Sequence, residues 1–245
     1  MANVSHQEAT PTGQDGKAGE IFRKQWEIYQ KVLRHDYLAN RGACAALRRF
    51  LTQEVDRPFD FVDLACGDAS GVVGALQGTE VTHYTGIDLS GPALTFARKS
   101  LETLKCEVEL DEADFTTAIA ERTRPIDIVW LSLSLHHLET PAKLKLMREI
   151  AERMDNSGAF LIYEPALEAG GGRAIYLDRF EEIVRKSWTA LTATEFEEVM
   201  NHVRTGDVPE TATAWVALGR EAGFTRIAEL YRSPDELFRL FIYRT

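Results

Sequence analysis

Phe59-Asp60-Phe61-Val62-Asp63-Leu64, followed by Ala65-Cys66-Gly67-Asp68-Ala69-Ser70-Gly71, is a β-rich run that stops at a turn of small residues and passes into a helical stretch. The unit recurs. Thr82–Ile87, Cys106–Leu110, Ile126–Leu131 and Ala159–Tyr163 are short β-rich runs, each followed by a helix-like segment. Such alternation predicts an α/β fold with a parallel sheet covered on both faces, because each crossover helix must bury its apolar stripe against the strands it joins. Two helices have readable starts. Ser90, with Pro92 in the first turn, opens one carrying Leu94, Ala97, Leu101 and Leu104, and Thr140-Pro141 opens another carrying Leu144, Met147, Ala151 and Met154.

Outward from this centre the rhythm changes. Residues 1–18 are polar, rich in Gly, Thr and Gln, and aperiodic, so they read as a disordered tail. Residues 19–57 read as two lead-in helices, with stripes Phe22/Trp26/Tyr29/Leu33 and Ala43/Leu47/Phe50, ahead of a domain spanning 58–245. Within that domain, about 165–210 holds two further helical stripes, Tyr176/Phe180/Val184/Trp188 and Phe196/Met200/Val203, the second opened by a Thr192…Glu195 capping box. This segment is expected to form a cap. A last helix, Thr213–Ala222, stops at Gly223, and two strands follow, Phe224–Tyr231 and Leu237–Tyr243, whose short connection permits only antiparallel pairing.

The 245 residues carry 28 basic and 38 acidic side chains, a net charge of −10. Residues 17–57 hold nine basic and five acidic groups, so the rest of the chain sums to −14. A surface of that sign repels a nucleic-acid duplex, while the positive lead-in leaves a transfer RNA or an acyl-carrier-protein partner open. No apolar run approaches the roughly 20 residues of a spanning helix, and no basic n-region precedes an apolar stretch at Met1. Cys44, Cys66 and Cys106 are odd in number and lack metal or disulfide spacing. A cytoplasmic protein without membrane contact is expected.

In an open parallel sheet, ligands sit at the carboxyl ends of the strands, where strand order reverses. The first strand ends at the Asp63–Gly71 turn, whose small residues let a ligand approach the backbone. The second ends Gly86-Ile87-Asp88-Leu89, where a carboxylate can accept both hydroxyls of a ribose. Ala113-Asp114-Phe115 follows the third and sets a polar group beside an aromatic ring. The fourth ends Leu131-Ser132-Leu133-Ser134-Leu135-His136-His137-Leu138.

With these motifs, the chain from about residue 36 to its end resembles the class I, seven-stranded S-adenosylmethionine-dependent methyltransferases. The resemblance implies strand order 3-2-1-4-5-7-6, with the last strand antiparallel. It also implies S-adenosyl-L-methionine as cofactor, S-adenosyl-L-homocysteine as product, and cofactor contacts from Asp63, Ala65, Gly67, Asp88, Leu89, Asp114, Phe115, Leu131 and Ser132. Asp63 is placed near the methionine ammonium, Asp88 at the ribose, and Asp114 with Phe115 at the adenine. One departure stands out. Ala65 and Ala69 occupy two of the three positions where the family pattern has glycine.

The same losses count against a nicotinamide-dependent oxidoreductase, whose GxGxxG uses each glycine for a separate steric purpose. A chain that binds the cofactor without methylating is the other alternative. His136 or His137 is the candidate to take the acceptor's proton as a neutral imidazole, against a purely orienting histidine. Being adjacent, the two are expected to point in different directions, and they lack the i,i+4 spacing of a helical zinc pair, so no metal is expected. His35, Tyr37, Glu164, Arg173, Tyr176 and His202 are candidate contacts for a small-molecule acceptor, with Arg173 suited to a carboxylate or phosphate. Tyr29 and Trp188 read as packing.

Overall fold

The computed structural model describes residues 26–245. The proposed tail 1–18, and the part of the lead-in that contains Phe22, lie outside the described residues. The chain runs α1 (26–34), α2 (Asn40–Gln53), β1 (Phe59–Leu64), α3 (Ser70–Leu76), β2 (Val81–Asp88), α4 (Gly91–Leu101), β3 (Glu107–Glu112), α5 (Phe115–Glu121) and β4 (Ile126–Ser132). It continues through a 3-10 turn (Leu135–His137), α6 (Thr140–Arg153), β5 (Met154–Leu167), α7 (Arg173–Ser187), α8 (Ala193–Gly206), β6 (Glu210–Thr211), α9 (Ala212–Glu221), β7 (Arg226–Arg232) and β8 (Phe238–Arg244).

The strands lie in the order β3-β2-β1-β4-β5-β8-β7. Only β8 runs against its neighbours, antiparallel to both β5 and β7. This is the expected order with the last two strands renumbered, because a two-residue β6, too short to leave a period in the sequence, pairs with the end of β5. Two other boundaries moved. β5 begins at Met154, a residue expected on the preceding helix, and extends to Leu167.

Burial along the strands explains the layering. β1 and β4 are buried almost throughout, as both-face coverage requires, whereas the edge strands β3 and β7 are largely exposed and rich in charge. Side chains of alternate residues separate into two cores. Phe61, Tyr84, Ile128, Trp130, Leu161 and Tyr163 face one side with the stripes of α2, α3, α4, α7 and α8. Val62, Leu64, Val129, Leu131, Phe160 and Ile162 face the other with α5, α6 and α9.

The helix starts follow local chemistry. Ser90 accepts from the Ala93 amide at 3.2 Å, and Thr192 and Glu195 form the expected box. Register levels the strand ends: Asp63 pairs with Gly86 on one side and Trp130 on the other, so β1, β2 and β4 release their chains at one edge. Strand order reverses at β1, which puts the Asp63–Gly71 turn at the switch point.

Candidate functional site

Over that edge lies a cavity of about 1060 Å³, walled by the sheet ends below and by α1, α7 and α8 above. The walls are clasped together. Lys31 of α1 pairs with Glu195 of α8 at 2.6 Å, Gln30 donates to Asp68 at 2.9 Å, and the Tyr163 hydroxyl of β5 donates to the Leu38 carbonyl at 2.8 Å.

At one end the small-residue turn has an unusual backbone. Ala65, Gly67 and Ala69 all have φ near +54°, so the two alanines hold the left-handed conformation that the third position leaves to glycine, at a cost of about 1–2 kcal/mol each. A side chain at Gly67 would approach the Tyr29 hydroxyl at 3.7 Å. Tyr29, expected as core, instead faces the cavity, because α1 lies over the turn rather than against the sheet.

Two acids flank the turn. Asp88 accepts from the Gly67 amide and the Ser90 amide, both at 2.8 Å, one on each oxygen. A carboxylate has about four lone-pair sites, so acceptor capacity remains on both oxygens. Asp63 is buried in the cavity floor and accepts from the Tyr84 hydroxyl at 2.6 Å. Burial pushes its carboxyl from 3.8 up to about 7, the Tyr84 bond opposing and the nearby Asp88 adding to the rise. Burial likewise raises the Cys66 thiol and the Tyr84 phenol, so neither contributes charge here.

The opposite end is built around Glu164, fully buried at the end of β5. One oxygen accepts from the Ser134 and Leu135 amides at 3.1 and 3.0 Å; the other accepts from the His136 amide at 3.2 Å and meets His136 Nδ1 at 2.6 Å. That carboxylate fixes the 3-10 turn and the imidazole together. Burial alone would lower His136, but the Glu164 and Asp207 carboxylates outweigh it and raise it to about 9. His137 goes the other way, lowered by burial and by the neighbouring His136 charge, so it is neutral at pH 7.

The two histidines were expected to diverge, and they do not. Their ring centroids lie 4.1 Å apart, with the His202 ring edge-on to His137 at 5.2 Å. What gathers them is Asp207, at the C-terminus of α8. Its Oδ1 lies 3.5 Å from His136 Nε2, 3.7 Å from His137 Nδ1 and 3.9 Å from His202 Nε2. Asp207 was not singled out in the sequence. The signal available was an acid at a helix C-terminus, where the helix dipole disfavours it, five residues after a histidine. Beside it Tyr176 is buried against the cavity, and neither its hydroxyl nor Asp207 Oδ1 has a hydrogen-bond partner.

Of the candidates, Asp63, Ala65, Gly67, Asp88, Ser132, His136, His137, Tyr176 and His202 line this one cavity, and Glu164 supports it through His136. The others do not line it. Leu131 is core, Leu89 is exposed, and Phe115 packs into the second core. Asp114 caps α5, accepting from the Thr116 and Thr117 amides at 2.8 and 3.3 Å. The Tyr37 hydroxyl accepts from the Ala190 amide at 2.9 Å, and its ring stacks between His35 and Trp188, at 5.2 and 5.0 Å. Arg173 is not aimed at an anion. It donates to the carbonyls of Val203, Arg204 and Asp207, closing the end of α8. Lys143, fully buried under the cap, donates to the Val208 carbonyl, and the Val208 amide donates to the His136 carbonyl at 2.8 Å.

Residues 61–158 match the sequence model of a methyltransferase domain. No curated protein matches the chain. Among solved structures, it is similar to magnesium protoporphyrin IX methyltransferase from Synechocystis PCC 6803 with bound S-adenosylhomocysteine, at 13% identity and TM-score 0.62 over 91% of this chain and 95% of that one. It is also similar to the S-adenosylmethionine-dependent methyltransferase SibL in its apo form, at 18% identity and TM-score 0.60 over 85% of this chain and 55% of that one. A third likeness is to an S-adenosylmethionine-dependent methyltransferase from Leishmania major, at 12% identity and TM-score 0.58 over 84% and 72%. The chain spans little more than half the length of SibL and of some other structures that it matches. At these identities the likeness is one of fold. Residues 61–158 are thus similar to a methyltransferase domain, and the sheet order agrees with the fold that the sequence resemblance implied.

Proposed function

We propose that the protein transfers the methyl group of S-adenosylmethionine to a small-molecule acceptor held between the sheet edge and helices α7 and α8. One observation carries this reading: a single cavity joins the acid-flanked turn at Asp63 and Asp88 to the histidine–carboxylate cluster. The first end suits the cofactor. Asp63 offers a carboxylate to the methionine ammonium, the free lone pairs of Asp88 receive the ribose hydroxyls, and the small residues of the turn admit the nucleoside. The Synechocystis structure holds S-adenosylhomocysteine, which agrees with that assignment.

The second end suits the acceptor. A sulfonium is already a strong electrophile, so the protein's tasks are in-line alignment, exclusion of water and removal of the acceptor's proton. The acceptor's lone pair forms the new bond to carbon, the carbon–sulfur pair stays with sulfur, and S-adenosylhomocysteine leaves. His137, held toward its neutral form by burial and by the neighbouring His136 charge, receives the proton. Tyr176, with its unpartnered hydroxyl, orients the acceptor.

Enclosure by the cap and the charge of −10 favour a small acceptor over a polymer. Among the described residues no helix is long and apolar enough to cross a membrane. Calorimetric titration with S-adenosylhomocysteine, beside a parallel titration with NADH, tests the cofactor. Saturable binding of the first alone is expected; binding of NADH alone would replace the function while sparing the fold. Release of S-adenosylhomocysteine in an acceptor screen then separates a transferase from a chain that only binds the cofactor.

A further inference from the structure

Three of the protein's six histidines, a fully buried glutamate and an aspartate with an orphaned oxygen meet at the acceptor end of the cavity. We propose that His136, His137 and Asp207 hold a divalent first-row transition ion, of the zinc or iron(II) kind, whose open positions face the cavity and bind an oxygen atom of the methyl acceptor. The inference rests on the acceptor end assigned above, and its test does not depend on that assignment.

The donor geometry is close to what such an ion needs. Ligand atoms of these three residues lie within 4.8 Å of one another. Zinc–nitrogen and zinc–oxygen bonds of about 2.0–2.1 Å in a tetrahedron set donors about 3.3 Å apart. Asp207 Oδ1 already stands 3.5 Å from His136 Nε2 and 3.7 Å from His137 Nδ1, so each of those two pairs is within tenths of an ångström of the spacing that an ion sets.

The surrounding bonds point the same way. A ligating histidine commonly gives its other ring nitrogen to a carboxylate, which fixes the tautomer and raises its basicity. His136 does so to Glu164 at 2.6 Å, and its Nε2 is the nitrogen turned toward Asp207. Asp207 Oδ1 is buried without a hydrogen bond, its three histidine contacts standing off at 3.5–3.9 Å, so a metal ion that displaces the His136 Nε2 proton would give this oxygen a closer cationic partner. His137 Nδ1 has only a 3.3 Å contact to the Gly206 carbonyl to exchange for a metal bond. Two imidazoles and one carboxylate with positions left open make a set that suits zinc or iron(II) rather than magnesium or calcium, which prefer oxygen.

His202 completes the arrangement. Its Nε2 is 3.9 Å from the same Asp207 oxygen, and its side chain is 65% exposed, placed to pass a proton to water. With the ion bound, His137 serves as a ligand rather than as the base. An acceptor hydroxyl coordinated to the ion loses its proton to His202 and then to solvent, the oxygen pair takes the methyl group, and S-adenosylhomocysteine leaves with the sulfur pair. The acceptor class follows: a molecule with an ionisable oxygen, as a phenol, an enol or a hydroxy acid, at or beside the atom that is methylated.

The test is metal binding, read without turnover. Protein stripped with a chelator and dialysed against Zn²⁺ should retain one equivalent, and Co²⁺ in its place should give the intense visible bands of a low-coordinate N/O site. Asp207→Asn and His202→Ala, the latter at an exposed position, separate ligand from bystander. Asp207→Asn should weaken Zn²⁺ at least tenfold. His202→Ala should leave Zn²⁺ retention and the Co²⁺ spectrum unaltered, as should His83→Ala, at the Glu107/Glu109 edge of the sheet. S-adenosylhomocysteine affinity should be unaltered in all three. Failure to retain Zn²⁺, or retention abolished by His83→Ala and indifferent to Asp207→Asn, overturns the site. In either case the cofactor titration stands or falls by itself.

Discussion

If Asp63 receives the cofactor's ammonium as proposed, affinity should depend on pH by an amount that its burial sets. Its carboxyl is displaced from 3.8 to about 7, mostly by burial, with the Tyr84 hydroxyl holding one oxygen. A cofactor ammonium that seats beside it requires the ionised form, because only the carboxylate repays desolvation of the cation. From pH 8 to pH 5 the ionised fraction falls from about nine-tenths to about one-hundredth. Affinity for S-adenosylhomocysteine should therefore fall about 100-fold, or ~2.7 kcal/mol, over that range.

The sign is opposite for the stability of the cofactor-free protein. A carboxyl whose folded value is raised favours the folded state below its unfolded value and loses that advantage as pH climbs to the folded one. By pH 8 the burial of Asp63 costs the free protein at most ~4 kcal/mol. Asp63→Asn keeps an acceptor for Tyr84 and removes the charge. It should raise the melting temperature at pH 8, lower affinity there by about 1.5–3 kcal/mol and flatten the affinity's pH profile. Calorimetry across pH 5–8 on both proteins reads all three, with proton release on binding near pH 6 in the native protein alone. A flat profile for the native protein, or the same slope in Asp63→Asn, would refute the ammonium contact.

Other consequences are quicker to check. Asp88→Ala should weaken S-adenosylhomocysteine by about 1–3 kcal/mol through lost ribose bonds while the thermal melt stays cooperative; unchanged affinity would remove Asp88 from the site. Tyr176→Phe deletes a buried hydroxyl that has no partner, so the free protein should gain about 1 kcal/mol in denaturant unfolding, while KM for the acceptor rises if the hydroxyl orients it. Arg173→Ala should lower stability by about 1–3 kcal/mol by releasing three carbonyls at the end of α8, and proteolysis should then cut near residues 203–208. Resistance to cleavage there would show that α8 is held by other contacts.

The sheet was legible because its signals are local and repeated. β1 occupies the predicted Phe59–Leu64, and the Ser90 and Thr192 caps form as their spacing implies, each resting on residues within four positions. What the sequence concealed depends on distant residues meeting. Asp207 reaches His136 and His137 across about seventy positions and carries no motif. The apparent divergence of those adjacent histidines follows from counting residues along one turn, not from seeing what comes to lie against it. Arg173 shows the same limit in reverse: a lone arginine after Gly170-Gly171-Gly172 suits an anion site, yet its donors are spent on backbone carbonyls that sequence cannot place. Likewise the left-handed alanines at 65 and 69 look like a loss of glycine chemistry, but the chain keeps the glycine conformation and bears the strain.

Beside the apolar packing of α7 and α8 and the Lys31–Glu195 pair, the cap is tied down through main-chain atoms. Arg173 and Lys143 grip carbonyls, and the His136 carbonyl receives the Val208 amide. Such bonds do not depend on which side chains α7 and α8 carry toward the cavity. Substitutions at cavity-lining positions outside the apolar stripes and the histidine cluster, such as Thr194, Asn201 and Thr205, should therefore reshape the proposed acceptor chamber while the helices stay where they are and the histidines keep their alignment. A lineage, or an engineer randomising those positions alone, could move from one acceptor to another by small steps, with the chemical end of the pocket inherited unchanged.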